Sequence, residues 1–230
     1  MSRGMASLER RPALEHLVHS VLERRRLAYV LTQMRRQGVR IDVVYDIGAH
    51  RGEWTKSVRA RLPGARFYLF EANAVHAAAL RDSGDAFFIA VLSSESRLVD
   101  FYGTGGPGDS YYREATEHYS GVSPQRIETT TLDHLVATHD LPLADLVKAD
   151  VQGAELDVLR GGRHALKKAK LVLLECPLAE YNEGAPSMAD YLRFMHESGF
   201  SPVAFVEAIW QQGAMVQVDV LFGRQGHGAT

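Results

Sequence analysis

The sequence predicts an α/β fold: a doubly wound, mostly parallel sheet with an antiparallel edge strand. Three observations predict it. From residue 41 onward, short apolar runs rich in β-branched residues alternate with segments of helical periodicity, the pattern of parallel strands joined by crossover helices. The run Ile41–Ile47 ends in Gly48 and Gly52, and a helical pattern begins near Glu53; a buried strand, a glycine turn and a helix make the nucleotide-type unit of such sheets. The last two apolar runs, about Ser201–Val206 and Met215–Phe222, have no helix-length connection between them and so pair antiparallel.

The remaining elements follow in order. Met1–Gly4 reads as frayed. Arg11–Gln37 carries apolar residues at helical spacing, with Pro12 suited to a first turn and Gly38 to a C-terminal cap. One or two helices capping the domain are expected there, with Arg24, Arg25, Arg26, Arg35 and Arg36 as a solvated exterior. The first strand–turn–helix unit closes at Pro63-Gly64. A second strand, Arg66–Phe70, ends at Glu71, a helix covers Ala74–Arg81, and Ala86–Leu92 reads as a third buried strand. Arg97–Gly103 and Gln125–Thr131 alternate with a period of two and pair as an antiparallel ribbon. Between them Thr104–Pro124 is rich in Gly, Ser and Tyr, and a loop of that length is functional or disordered. A short helix at Leu132–His139, a strand at Asp145–Asp150, a helix from Ala154 to Arg160, a strand at Lys170–Glu175 and a helix at Met188–Glu197 lead to the terminal pair. The expected division is a helical cap over 1–40, the sheet domain over 41–224 and a loose tail over 225–230.

Composition excludes several classes. A hydrophobic fraction of 46% and a charged fraction of 23% over 230 residues suit one globular domain with a real core. A formal net charge of -2 argues against a general nucleic-acid binder. The single cysteine, Cys176, allows no disulfide framework, reads as a packed side chain, and makes a reducing cytoplasm the default. No apolar run reaches the roughly 20 residues needed to span a bilayer, so no stable membrane insertion is expected. The ten histidines show no metal-ligand spacing.

The chemistry-bearing residues begin at the glycine turn. Glu71 ends the next strand, 23 positions beyond Gly48, where a carboxylate accepts hydrogen bonds from both ribose hydroxyls of an adenosine cofactor. The turn lacks the G-x-G-x-x-G spacing of a pyrophosphate site, and Asp46 before it repels phosphate but attracts an amino group. That combination favours S-adenosylmethionine, which has an ammonium and a sulfonium and no phosphate, over a nicotinamide dinucleotide.

A second cluster carries a resemblance. D-I-G-A-H-R-G from Asp46, F-E-A-N from Phe70, T-L-D from Thr131 and K-A-D-V-Q-G-A-E-x-x-V-L-R-G from Lys148 resemble the FkbM-type methyltransferase family across roughly Val43–Phe222. Tyr181-Asn182-Glu183-Gly184 resembles a segment the family carries after its fifth strand. The resemblance implies a class I methyltransferase fold, S-adenosylmethionine as methyl donor, and an oxygen acceptor on a small molecule or glycan. It implies that Asp46, Gly48, Ala49, His50, Gly52, Glu71 and Ala72 hold the cofactor, with Ala90 and Val91 near the adenine and Asp150 beside the methionine moiety. Two positions depart from the family pattern: His50 stands for Asn, and Gln152 for Glu.

Methyl transfer from a sulfonium is an in-line displacement, so the protein aligns the partners and helps deprotonate a hydroxyl. Asp150 and His50 are the catalytic candidates, with Glu155 behind them; each also has a quieter reading, as ammonium ligand, turn residue and helix-start acid respectively. Lys148 orders a neighbouring carboxylate. Tyr111, Tyr112, Gln152 and Glu175 are the acceptor-binding candidates, and the Thr104–Pro124 loop with Tyr119 is the candidate lid. Asp150 has no adjacent acid or amide partner, so no metal is expected. Homodimerisation is allowed. Rival readings are a non-catalytic binding module on the same fold and a nicotinamide-dependent oxidoreductase.

Overall fold

The computed structural model describes residues 26–114, 119, 121–180, 182–211 and 213–226. The expected N-terminal helix is present as α1 over 26–36; its earlier part, the frayed start, Tyr181 and the end of the tail lie outside the described residues. The strands are β1 (Val43–Ile47), β2 (Arg66–Glu71), β3 (Ala86–Ile89), β4 (Leu98–Phe101), β5 (Gln125–Glu128), β6 (Leu146–Ala149), β7 (Leu171–Pro177), β8 (Phe200–Gln211) and β9 (Ala214–Arg224). The helices after α1 are α2 (Glu53–Arg59), α3 (Ala77–Ser83), α4 (Leu132–Thr138), α5 (Glu155–Arg160) and α6 (Met188–Glu197).

Seven strands form the main sheet in the order β3-β2-β1-β6-β7-β9-β8, and β4 and β5 form a separate antiparallel ribbon. β1, β2, β3, β6 and β7 run parallel. β9 is antiparallel to both β7 and β8, so the antiparallel edge is a hairpin whose reversed strand lies one in from the rim.

Strand alternation divides the core into two layers, because successive side chains point to opposite faces. Val43, Tyr45, Ile47, Val147, Val172 and Leu174 pack into one layer with α4, α5 and α6 residues such as Leu132, Leu156 and Tyr191. Val44, Leu146, Leu171 and Leu173 pack into the other with Leu27 and Leu31 of α1 and Val58 of α2. Arg26, Arg35 and Arg36 are exposed, as a solvated helix face requires.

One strand departs from expectation. The segment read as a third buried strand, Ala86–Leu92, ends as a strand at Ile89 and forms the sheet rim, with its ends exposed and its middle half-buried. A rim strand has a neighbour on one side only, so its apolar run reflects packing on α3 and not burial in the sheet centre. Ala90, Val91 and Leu92 leave the sheet and turn toward the cleft described below.

Strand order reverses between β1 and β6, which lead outward in opposite directions. At such a switch point the loops at the carboxyl ends part and leave a crevice. Gly48 sits there with φ +73°, and a Cβ on it would come within 1.8 Å of the Asp150 carbonyl oxygen. The two most characteristic segments of the sequence therefore touch, and only glycine fits the contact.

Candidate functional site

A cavity of about 640 Å3 opens at the carboxyl ends of the parallel strands, within the size range of small-ligand sites. Its wall includes Gly48, His50, Glu71, Ala72, Ala90, Val91, Tyr111, Asp150, Gln152 and Glu175, which brings together most of the residues selected from sequence. Asp46, Ala49, Gly52 and Tyr112 are not part of this wall. Each has another position with its own physical cause.

Asp46 is fully buried under the glycine turn. Thr55 Oγ1 donates to it at 2.7 Å, and Lys148, its cross-strand partner in register, brings Nζ to 3.3 Å. The same ammonium lies 3.3 Å from Asp150 and donates to the Gly48 carbonyl at 3.0 Å. Burial raises the Asp46 pKa, with Lys148 and Thr55 opposing it; burial also works against the Lys148 charge, but Asp150 and Asp46 more than reverse this and hold the lysine as a cation. Lys148 thus ties both acids and the turn into one buried unit. Ala49 is buried beneath the turn. Gly52 takes φ +77° at the start of α2. Tyr112 donates to Asp157 at 3.1 Å, away from the cavity.

The turn itself offers few donors to a ligand. Gly48 and Ala49 N–H donate to the Phe70 carbonyl at 2.9 and 3.0 Å, and Gly52 N–H to Ala49 at 2.7 Å. His50 N–H donates to Glu71 Oε2 at 2.7 Å. A turn whose amides are spent in this way has no nest for a pyrophosphate, which weighs against a dinucleotide. His50 has φ 49°, a conformation that Asn and His adopt more readily than most residues. The exchange of one for the other at this position therefore keeps the backbone shape. The His50 ring lies between Glu53, 3.5 Å from its Nδ1, and the His76 ring, 4.0 Å between centroids.

Glu71 accepts from His50 N–H on one carboxylate oxygen and from Asn73 N–H on the other, at 2.8 Å. Both oxygens keep further acceptor capacity toward the cavity. Phe70, Val91, Leu92 and Phe101 add an apolar wall beside it.

At the other strand end, Gln152 Nε2 donates to Asp150 Oδ1 at 3.0 Å and to Glu175 Oε1 at 2.9 Å. Burial by itself would raise the Asp150 pKa, but the Lys148 ammonium and hydrogen bonds from Glu175 and Gln152 bring it below the ordinary aspartate value. Burial and the Asp150 charge push Glu175 well up. The two acids are thus driven apart, Asp150 toward its ionised form and Glu175 toward its protonated one. Gln152 holds φ 56° and bridges them with an amide, where a glutamate would add a third acid.

Glu155 does not reach the cavity. Fully buried at the start of α5, it accepts from Val151 N–H at 2.7 Å, Gly153 N–H at 3.0 Å and the Tyr191 hydroxyl. It shapes the turn that carries Asp150 and Gln152. Cys176 is buried, its thiol directed to the Leu174 carbonyl.

Sequence reasoning passed over Asp109. It accepts from Thr104 N–H at 2.8 Å, Gly105 N–H at 2.9 Å, Asn73 Nδ2 at 2.7 Å and Tyr119 OH at 3.0 Å, and it lines the cavity. Burial opposes its charge, but those donors hold its pKa below the ordinary value. An aspartate just after a glycine-rich tract is the usual signal for such a turn organiser. Ser110 donates to the Val151 carbonyl at 3.2 Å and Tyr111 to Asp157 at 3.1 Å, so the described part of the loop is fastened to both halves of the site. Glu180, Ile209, Gln211 and Gln217 also line the cavity; no motif announces them, because they come from the segment after β7 and from the β8–β9 hairpin.

This sheet order, with its reversed penultimate strand and a carboxylate-bearing cleft at the switch point, defines a class I methyltransferase. The chain belongs to the FkbM methyltransferase family, whose domain model, described as the methyltransferase FkbM domain, matches residues 46–202. A 2-O-methyltransferase, NoeI, from Sinorhizobium fredii (strain NBRC 101917 / NGR234) is 29% identical over 160 residues, 62% of this chain and 66% of that protein. A hexuronic acid methyltransferase, AglP, from Haloferax volcanii is 28% identical over 140 residues, 58% of this chain and 55% of that protein. The matches thus span somewhat less than two thirds of these relatives. Among solved structures, the magnesium protoporphyrin IX methyltransferase (ChlM) from Synechocystis PCC 6803 with bound SAH aligns at a TM-score of 0.49 and 11% identity, covering 96% of this chain and 90% of that one.

The methyl donor is S-adenosylmethionine, and the donor set fits it. Glu71 suits the ribose hydroxyls, the Phe70–Phe101 wall an adenine ring, and the Asp150 carboxylate a cationic methionine end. Among the described residues, no lysine or arginine lines the cavity to attract a phosphate instead.

Proposed function

We propose that the chain O-methylates a hydroxyl of a sugar or sugar-containing small molecule. The observation that carries this reading is that Glu71 and Asp150 line one cavity of about 640 Å3, which supports Glu71 as the ribose acid and Asp150 as the acid at the reacting centre. S-adenosylmethionine supplies the methyl group as a sulfonium electrophile. The new bond joins the acceptor oxygen to that carbon as the sulfur–carbon bond breaks, and the hydroxyl proton leaves to a base. Asp150 is the base of this proposal, because Lys148 and Gln152 keep it ionised and hold its two oxygens in fixed directions. Glu175, which burial and the Asp150 charge push toward its protonated form, lines the same cavity and is the second acid on the acceptor side. His50 contributes through its amide bond to Glu71. The lid of this proposal is the Thr104–Pro124 loop on the acceptor side, whose Tyr111 lines the cavity.

The names of two relatives, one a 2-O-methyltransferase and one a hexuronic acid methyltransferase, support oxygen on a carbohydrate. No helix among the described residues is long and apolar enough to cross a membrane, and a cytoplasmic location belongs to the proposal. The test is incubation with methyl-labelled S-adenosylmethionine and a panel of glycosides and oligosaccharides. Label incorporated in an alkali-stable form is expected, as an ether requires; alkali-labile label would mean an ester, and label only on amines would overturn oxygen as the acceptor.

A further inference from the structure

A second cavity, of about 360 Å3, adjoins the first and shares Glu175, Ala179 and Glu180 with it. It lies between the turn after Asp150 and the segment leading into α6, with Gly153, Asn182, Ser187 and Tyr191 in its wall. Asn182 is 4% exposed, and its Oδ1 is buried with no hydrogen-bond partner among the described residues. A buried amide oxygen left unpaired is costly, and the residue that carries it stands in the wall of this cavity. Glycine is required opposite it: at Gly153, φ +96°, a Cβ would come 2.9 Å from Ala185.

The charge of the joined cavities is one-sided. Glu71, Asp109, Glu114, Asp150, Glu175 and Glu180 line the larger one, and Asp190 joins Glu175 and Glu180 in the smaller. Among the described residues, no lysine or arginine lines either. Arg113 is near in sequence, but it is exposed and lines neither. An anionic acceptor would enter among these acids with no lysine or arginine in the described wall to receive it. An uncharged polyol would meet acceptors in the acids and both donors and acceptors in Gln152, Gln211 and Gln217.

We propose that the smaller cavity is the second half of the acceptor site and takes an uncharged, hydroxyl-bearing unit of the acceptor, with Asn182 and Ser187 in its wall. The inference rests on the O-methylation reading above. It excludes uronate-type acceptors, even though one relative is named for a hexuronic acid.

The test uses matched neutral and uronic-acid forms of the same disaccharides, with methyl transfer measured for each. Neutral forms are expected to be methylated with kcat/KM at least ten-fold above their uronate counterparts. Ala189→Trp, at an exposed position on the wall of the smaller cavity, is expected to raise KM for disaccharides several-fold with S-adenosylhomocysteine affinity unchanged. Asn182→Asp, nearly the same size but charged, should widen the discrimination against uronates. Equal or better use of the uronates, or an Ala189→Trp variant with unchanged KM, overturns this inference while leaving sugar O-methylation in place. Methylation of no carbohydrate, with S-adenosylhomocysteine still bound, overturns both.

Discussion

Glu71 and Glu155 are both buried acids at the ends of elements, yet their surroundings give them different tasks. Glu71 is fastened by two backbone amides and faces the cavity. Glu71→Ala should weaken S-adenosylhomocysteine binding about 10- to 100-fold, the loss of roughly 1.5–3 kcal/mol from charge-assisted hydrogen bonds. Calorimetric titration reads this directly, and unchanged affinity would remove Glu71 from the ribose. Glu155 is closed off from the cavity, and burial pushes its carboxyl up to about 7 against the pull of Tyr191 and the Val151 amide. A folded-state pKa above the ordinary 4.5 means the folded protein holds this proton more tightly. The contribution is therefore complete below about pH 4.5 and lost as pH rises through 7. Between pH 4.5 and 8, the stability of wild type relative to Glu155→Gln should fall on the order of 3 kcal/mol, measured by urea unfolding. Parallel pH profiles for the two proteins would show that Glu155 is not the titrating group.

Among elements, the loop between β4 and β5 was recognisable from its length and composition, but not as an ordered structure. In its described first part the organiser is Asp109, which collects donors from Thr104, Gly105 and, after β2, Asn73. Asp109→Ala should leave the sheet intact, speed protease cleavage within 103–110, and weaken S-adenosylhomocysteine binding by about 1–2 kcal/mol. Limited proteolysis with and without S-adenosylhomocysteine separates the two effects; cleavage as slow as in wild type would show that Asp109 does not hold the loop. β3 makes a related point. Its apolar run predicted a strand correctly and burial incorrectly, because hydrophobicity reports what a segment can pack against and not how many neighbours the sheet gives it. The β8–β9 hairpin was predicted as two antiparallel strands, but nothing in its composition indicated that Ile209, Gln211 and Gln217 would reach the cleft.

For the molecule as a whole, a cavity at the switch point couples ligand binding to global stability, since its walls come from the ends of β1, β2 and β7, the turn after β6 and the terminal hairpin. S-adenosylhomocysteine at a hundred times its Kd should add about 2.7 kcal/mol, a rise in Tm of roughly 5–10 °C for a chain of this size. NADH at the same concentration should give no shift, because the amides of the glycine turn are already bonded. A comparable shift with NADH would reverse the cofactor assignment.

The sequence by itself determined the fold class, the order of its elements, the cofactor and the identity of the residues at the two strand ends. These are local properties: periodicity, glycines where φ is positive or a Cβ has no room, and acids at fixed offsets from strand ends. Tertiary structure decided which of those residues face the cavity. Asp46 and Asp150 are both acids of the central strands, but pairing in register puts Lys148 beside Asp46 under the turn and leaves Asp150 at the mouth. Tertiary structure also decided the company they keep. Glu175 and Asp109 gain their roles from groups tens of residues away, Gln152 and Asn73 among them, brought near where the strand order reverses between β1 and β6, and distance in space along that crevice is not written in distance along the chain.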